Sequence, residues 1–190
     1  MLRRRTQTFS SRQKIGLILI LVGVFCLGII FSLRIYQKSR EKILSFSRLP
    51  KFEEEISEDL FPSQIQIPKV KIDLLISPAK AKNEIWEISK DGVSYLLGSG
   101  VPGRNGNSVI YGHNKNNLFG PIRWLKVGNE IRIKNRKGEE FLYKVKETKT
   151  VSPENIEVLA PTKDPTLTLY TCTGFMDSQR FVVVAKISPY

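Results

Sequence analysis

The chain has 190 residues, of which 41% are hydrophobic and 25% are charged, so it is long enough for one globular domain with appendages and too apolar for wholesale disorder. Its formal net charge of +12 suggests a nucleic acid or an anionic surface as partner. The charge is spread out, however, because residues 1–62 hold 11 Lys/Arg and 6 Asp/Glu while residues 63–190 hold 19 and 12. The densest basic stretch, residues 132–149, is interrupted by glutamates and is typical of the solvent-exposed faces of two strands. We therefore expect no nucleic-acid partner.

The first element in chain order is an uncharged segment at residues 15–33, IGLILILVGVFCLGIIFSL. Its 19 residues match the roughly 20 that a helix needs to cross the hydrocarbon of a bilayer. A cleaved signal peptide has a shorter apolar core and a small-residue cleavage site, which does not follow this segment. A lipid-attachment signal is disfavoured because Phe25 stands before Cys26, where a small residue is typical. The segment predicts an uncleaved transmembrane anchor at residues 15–35, behind a basic cytoplasmic tail at residues 1–14.

The flanking charges and the cysteines indicate on which side of the membrane the remainder lies. Five positive residues precede the span and four follow it closely, which is a slight positive-inside bias toward a cytoplasmic N-terminus. Cys26 lies within the span, so the rest of the chain has one cysteine, Cys172, and no internal disulfide. We expect the domain on the extracytoplasmic face of the cell membrane, where an exposed reduced thiol is a liability unless chemistry needs it. The alternative for Cys172 is a buried, small hydrophobic residue.

Residues 36–62 are polar, hold the acidic cluster EEEISED, and are interpreted as a stalk. From residue 63 onward, short β-type runs alternate with turn residues. The runs are, in order, QIQIP, EIWEIS, VSYLLGS, SVIYGH, EIRIKN, EEFLYKVKETKTV, TLTLYTC and RFVVVAKI. The turn RKG joins the fifth and sixth as a hairpin, and SPENIEVLA before the seventh predicts a short helical turn. Eight short strands predict an all-β domain that closes into a barrel at residues 63–190, because closure removes exposed sheet edges.

The last two runs place a cysteine and an arginine on one side of the sheet, because side chains alternate between the two faces of a strand. Leu167 and Leu169 share one face of TLTLYTC, which is the better barrel core, so Cys172 is predicted on the outer surface at the strand's end. The same alternation in RFVVVAKI turns Arg180 away from the apolar face. If the two strands pair antiparallel, the two residues meet across the seven-residue loop at residues 173–179. A guanidinium beside a thiol favours a thiolate or a developing oxyanion.

A nucleophilic cysteine also needs a proton partner, since a thiol with an ordinary pKa of about 8.5 is only a few per cent ionised at pH 7. The chain has one histidine, His113, which follows the run SVIYG and leads into a polar loop, where functional residues concentrate. A single loop histidine is also commonly solvated or hydrogen-bonded locally. On these residues alone, nucleophilic chemistry at Cys172 and a structural role for it both stay open.

The order of these residues resembles the sortase family. Its Thr-Leu-x-Thr-Cys signature is matched at every fixed position by residues 168–172, its following arginine by Arg180, and its Gly-His pair by Gly112 and His113. The stretches IQIPKVKIDLLI and FGPIRWLKVGNEI are similar to further patterns of the family, so the resemblance covers roughly residues 63–188. It implies a closed eight-stranded β-barrel with short helical turns and a cysteine transpeptidase that requires neither ATP nor a metal, hence no cofactor.

The resemblance also implies a role for each site residue. Cys172 attacks the scissile carbonyl of a C-terminal sorting signal and forms a thioester, while His113 protonates the leaving amine and later accepts a proton from the incoming amine. Arg180 holds the substrate or stabilises the oxyanion. Thr171 and Thr173 are expected to line the substrate groove, although strand packing is an equal alternative for Thr171. The implied partners are secreted proteins with a C-terminal sorting motif and an amine acceptor on a cell-wall precursor or a pilin subunit; the sortase class and the motif stay open.

Two other kinds of protein are alternatives to this interpretation. Papain-like cell-wall cysteine peptidases place the cysteine before the histidine, whereas His113 precedes Cys172 by 59 positions. L,D-transpeptidases typically approach the nucleophile through SHGC, whereas this chain has LYTCTG. A membrane-tethered β-barrel binding module without catalysis requires the cysteine, histidine and arginine to match the sortase pattern by accident. We therefore predict a membrane-anchored transpeptidase of the sortase type.

Overall fold

The structure is a computed structural model that describes residues 11–40, 57–82 and 85–188. The chain divides into two compact units, Met1–Glu41 and Lys42–Tyr190. The first contains the helix α1 (Ser11–Arg40), which runs past the predicted end of the anchor at residue 35. Its stretch Ile15–Arg34, with a mean hydropathy of 2.9, is long and apolar enough to cross a membrane. Most of the predicted tail (residues 1–10) and most of the predicted stalk (residues 41–56) lie outside the described residues.

The regular elements in the described part of the second unit are strands and short 3-10 turns. The strands are β1 (Pro62–Ile67), β2 (Ile72–Ala79), β3 (Ala81–Lys82), β4 (Ile85–Trp86), β5 (Val93–Leu96), β6 (Gly106–Tyr111), β7 (Glu130–Asn135), β8 (Glu140–Val151), β9 (Pro165–Thr173) and β10 (Gln179–Ile187). Eight of these strands close into a barrel in the order β1-β2-β5-β6-β9-β10-β8-β7, and β3 pairs with β4 as a separate ribbon. Neighbours in the barrel run antiparallel except for the pairs β2–β5 and β6–β9. The predicted closed eight-stranded barrel is confirmed.

One barrel strand was assigned to the wrong segment. The run EIWEIS was expected to be a strand of the barrel, but only β4 is extended there, and it pairs with β3 instead. The eighth barrel strand is β2, which joins β1 to β5. Its buried residues Ile72, Ile76 and Ala79 are separated by four and three positions, and Leu75 between them is 72% exposed. The half-buried Leu74 packs on the core with Ile72 and Ile76, so this side of β2 does alternate with a period of two. The strand was missed because Leu75 is apolar but exposed, which interrupts the alternation in the sequence.

The predicted hairpin and the predicted short helical turn are both confirmed. β7 and β8 form the expected hairpin, with Lys134 opposite Glu140, and Gly138 in its turn has a φ of 88°, a conformation that glycine adopts without steric cost. The expected helical turn after β8 is a 3-10 turn at Ile156–Leu159. Further 3-10 turns are Glu58–Leu60, Pro68–Val70, Gly120–Trp124 and Phe175–Asp177.

The side chains of β9 and β10 divide between the barrel interior and the outer face, as alternation predicted. The inward set packs in the barrel core and consists of Leu167, Leu169, Val183 and Ala185. The outward set packs in a second apolar cluster and includes Tyr170, Cys172 and Val182. The leucine face is therefore the core face, and Cys172 lies on the opposite side of the sheet.

The predicted exposure of that outer face is wrong. Cys172 is 5% exposed and Arg180 is 2% exposed, although both were expected on the surface. The outer face is covered by the second apolar cluster, to which β4 contributes Trp86 and the turn after β8 contributes Leu159. Because these segments remove apolar area from water by packing on the sheet, they also bury the site residues between them.

Tyr95 is the core residue through which we expect alkaline pH to destabilise the barrel. Its ring is completely buried, its hydroxyl donates to the carbonyl oxygen of Ser99 at 2.8 Å, and burial raises its pKa to about 12. The folded protein therefore keeps a proton that the unfolded chain loses near pH 10. The stability that buried, protonated Tyr95 contributes is fully present below about pH 10 and is lost as the pH rises toward 12. At pH 11 the loss is about 1.4 kcal/mol.

Urea unfolding at pH 8 and pH 11 measures this loss. The variant Tyr95→Phe lacks the titrating group, so its free energy of unfolding is expected to fall by about 1.4 kcal/mol less than that of the wild type over the same interval. Any decrease shared by both proteins belongs to other groups, such as Tyr143, whose pKa is also raised by burial. An identical pH dependence in the two proteins would show that Tyr95 does not couple to folding.

Candidate active site

The three predicted catalytic residues lie at one end of three neighbouring strands. β6 and β9 run parallel, with Tyr111 opposite Tyr170. His113 lies two residues after Tyr111, and Cys172 lies two residues after Tyr170. Both therefore lie at the same end of the two paired strands. β10 pairs antiparallel with β9, with Arg180 directly opposite Cys172. The antiparallel pairing that the sequence analysis assumed is confirmed, and the topology brings the cysteine, the histidine and the arginine into one region.

Arg180 is a buried cation held by backbone carbonyl groups. Its Nη1 donates to the carbonyl oxygen of Asp177 at 2.9 Å and to that of Gln179 at 3.0 Å. A buried charge is tolerated only when hydrogen bonds replace its lost hydration, and these two bonds supply part of that replacement. Directly opposite residues on antiparallel strands have their Cβ atoms about 4.5–5.5 Å apart, so Arg180 and Cys172 are side-chain neighbours. A fixed positive group in this position favours a thiolate or a developing oxyanion.

His113 is half-buried and opens a loop whose backbone is well anchored. Its carbonyl oxygen accepts the N–H groups of Lys115 at 2.8 Å and Phe119 at 3.1 Å. The preceding Gly112 is needed for a steric reason, because a Cβ atom there would lie 2.9 Å from Cγ1 of Val93 and 3.3 Å from Phe119. In the Gly-His pair, Gly112 lets the backbone pack closely against Val93 and Phe119, and His113 then lies at the end of the strand.

Thr171 and Thr173, the two predicted groove residues, lie in different surroundings. Thr171 is completely buried on the face that it shares with Leu169, and its Oγ1 donates to the carbonyl oxygen of Gly112 at 2.8 Å. This bond ties β9 to the backbone immediately before His113, which is the strand-packing alternative that the sequence left open. Thr173 is half-buried at the end of β9, opposite Gln179.

An aromatic cluster beside Cys172 was missed by sequence reasoning. Tyr111 and Tyr170 stack with their ring centroids 5.2 Å apart and their planes at 10°, and Trp86 meets them edge-on at 5.3 and 6.1 Å. Burial raises the pKa of Tyr170 well above its usual value, so its hydroxyl is neutral at physiological pH. The stack depends on the parallel pairing of β6 with β9, and no local pattern in the sequence predicts that pairing.

These residues have the chemical character of an acyl-transfer site. A thiol is the nucleophile, an imidazole can carry protons, and a guanidinium can stabilise negative charge on an oxygen atom. Among the described residues, no group of three or more His, Cys, Asp or Glu side chains is arranged to hold a metal ion. Nucleophilic catalysis by a cysteine needs no such ion.

Comparisons with known proteins identify the family. Residues 65–188 match the sequence profile of the Sortase domain. Sortase A of Listeria monocytogenes is 31% identical over 134 residues, which is 68% of this chain and 58% of that protein. Sortase A of Streptococcus agalactiae is 27% identical over 131 residues, or 65% of this chain and 51% of that protein. The matched part of the chain thus spans little more than half the length of these curated relatives.

Solved structures agree with this comparison. The crystal structure of Listeria monocytogenes sortase A superposes with a TM-score of 0.56 at 30% identity, covering 69% of this chain and 89% of that one. A Clostridium perfringens Sortase D5 transpeptidase superposes with a TM-score of 0.57 at 28% identity, covering 71% and 83%. The matched region includes the whole barrel from Ile65 onward, together with the cysteine, the histidine and the arginine. The chain belongs to the sortase family.

Proposed function

We propose that this protein is a cysteine transpeptidase that cleaves a C-terminal sorting signal and transfers the acyl group to an amine. The observation that carries the proposal is the position of Arg180 directly opposite Cys172, with His113 at the same edge of the sheet, within a sortase domain. Membership of the sortase family supports the reaction type, and the described geometry supports the assignment of roles.

The reaction has two halves that use the same three residues. Sγ of Cys172 attacks the scissile carbonyl carbon as the thiolate, with the proton of the pair held on His113, and the negative charge that forms on the carbonyl oxygen is stabilised by Arg180. The C–N bond breaks as His113 gives a proton to the leaving amine, which leaves a thioester on the enzyme. The acceptor amine then attacks the thioester and gives a proton to His113. The C–S bond breaks, the new amide is released, and Cys172 leaves as the thiolate, so that it again shares one proton with His113.

We propose in addition that this chemistry takes place at a membrane. In our proposal, residues 1–14 form a cytoplasmic tail, residues 15–35 an anchor, residues 36–62 a stalk, and residues 63–190 the catalytic domain on the extracytoplasmic side. The apolar stretch Ile15–Arg34 supports the anchor. The substrates are then secreted proteins with a C-terminal sorting motif, and the acceptor is an amine of a cell-wall precursor or a pilin subunit.

The test is to trap the covalent intermediate. The full chain in detergent micelles is mixed with a library of sorting-type peptides and its intact mass is measured. We expect an added mass equal to the acyl part of a peptide, bound at Cys172, which disappears when an amine is added and an amide product forms. A binding module would instead retain intact peptides without cleavage. Cleavage without any adduct on the chain would contradict the thioester mechanism.

A further inference from the structure

The loop that joins β9 to β10 has an unusual backbone. The two strands include Thr173 and Gln179, so the loop consists of residues 174–178. Within it, Met176 and Asp177 have φ angles of 54° and 58°. The left-handed region is disfavoured for residues with a Cβ atom, and two in succession are rarer still. Such a turn persists only where its surroundings enforce it.

The two large apolar side chains of the loop do not hold this turn in place. Phe175 and Met176 are 85% and 48% exposed, so neither is anchored in either apolar cluster. The backbone bonds within the loop run from the N–H of Asp177 to the carbonyl oxygen of Gly174 at 3.3 Å and from the N–H of Ser178 to that of Phe175 at 3.1 Å. They close the loop on itself but do not attach it to the barrel.

A hydrogen bond to the buried guanidinium attaches the loop to β10. Nη1 of Arg180 donates to the carbonyl oxygen of Asp177 at 2.9 Å. A hydrogen bond from a charged donor is about twice as strong as one between neutral groups, and it is stronger still where water is excluded. The direction of this carbonyl is set by the backbone angles of the left-handed residue that carries it.

We propose that the left-handed Met176–Asp177 turn is a positioning device for Arg180. By directing the carbonyl oxygen of Asp177 at Nη1, the turn holds the guanidinium beside Cys172, where the oxyanion of the acyl-transfer reaction forms. In this role Met176 and Asp177 act through Arg180. This inference rests on the proposed function, because the position of the guanidinium matters only if Arg180 acts on the substrate.

The experiment separates backbone conformation from side-chain chemistry at one position. Asp177→Val introduces a β-branched residue that resists the left-handed region, so we expect kcat/KM to fall at least about tenfold. Asp177→Gly adopts a positive φ at no steric cost and Asp177→Asn at little, so both are expected to stay within about threefold of the wild type. Rescue by glycine, which lacks the carboxylate altogether, is the signature of a conformational role.

Lys71 offers a matched control for backbone strain. It is exposed, its φ of 54° is close to the 58° of Asp177, and it lies between β1 and β2, across the barrel from β9 and β10. Lys71→Val is therefore expected to lower the urea midpoint about as much as Asp177→Val does, while kcat/KM stays at the wild-type value. Asp177→Gly relieves the strain and is expected to raise the urea midpoint with activity unchanged, so the proposal stays testable even if the valine variant folds poorly.

Three outcomes would overturn the proposal. They are a fully active Asp177→Val, a glycine variant as impaired as the valine variant, and a Lys71→Val that loses activity to the same extent. Arg180→Ala distinguishes this failure from a failure of the proposed function. If Arg180→Ala is inactive while Asp177→Val is active, the turn is not a positioning device. If Arg180→Ala is as active as the wild type, the role assigned to the arginine is itself wrong.

Discussion

Replacing Cys172 with alanine is expected to abolish thioester formation and to lower peptide turnover by about 10⁴-fold or more. The methyl group of alanine has no atom that can bond to the acyl carbon. The fold should persist, because the substitution removes one sulfur atom from a residue that is 5% exposed, at a cost of about 1 kcal/mol in the free energy of unfolding. Intact-mass measurement of the chain after incubation with peptide checks the first expectation, and urea unfolding checks the second.

The chain supplies a matched control for this experiment in its second cysteine. Cys26 lies in α1, and Cys26→Ala is expected to form the thioester as fast as the wild type. Cys172→Ser tests whether a hydroxyl can replace the thiol, and we expect it to be nearly as inactive as the alanine variant, since an alcohol is a much weaker nucleophile at neutral pH. Undiminished cleavage by Cys172→Ala would refute the mechanism.

Replacing His113 with glutamine is expected to lower turnover by about 10²- to 10⁴-fold, the range typical of general acid–base catalysis. The backbone bonds at this position should persist, because the carbonyl oxygen of His113 accepts the N–H groups of Lys115 and Phe119 and glutamine has the same carbonyl. The loss therefore reports the missing proton carrier. Single-turnover kinetics with peptide should show both acylation and amine transfer slowed.

The dependence of the rate on pH distinguishes this role from a structural one. The wild type is expected to show a bell-shaped profile of kcat/KM, and His113→Gln should lose the limb that belongs to the imidazole. Asn116→Gln changes an exposed residue of the same loop and is expected to keep both the rate and the profile of the wild type. A glutamine variant with a reduced rate but an unaltered profile would show that His113 acts only by supporting the loop.

The part of the site that was predictable is the part that local patterns control. The strict alternation in TLTLYTC separates Leu169 from Cys172 whatever the rest of the chain does, because the period of two is a property of the extended backbone. The same property puts Arg180 on the side of Cys172 once the two strands pair. The short connection between them favours an antiparallel pair, and the structure has that pair in the expected register.

The errors arose where a residue's environment depends on distant segments. Cys172 was expected on the surface, but Trp86 and Leu159 pack with it in the outer cluster from segments that pattern analysis treated as independent. The strand β2 was missed because the apolar but exposed Leu75 interrupts its alternating pattern, and EIWEIS was taken for a barrel strand although its extended part pairs only with β3. The Tyr111–Tyr170 stack needs a parallel pairing of two strands that lie far apart in the chain.

The sequence by itself determined the class of the fold and an apolar segment long enough to cross a membrane, and it predicted the cysteine, the histidine and the arginine as site residues. These follow from short-range periodicity, from composition, and from residue types whose chemistry is specific. Only the tertiary structure decided that Cys172 and Arg180 are buried, that Thr171 ties β9 to the backbone before His113, and that a left-handed turn directs a carbonyl group at the arginine. The physical reason is that burial and hydrogen bonding between strands are properties of pairs of segments, and those pairs exist only after the barrel has closed.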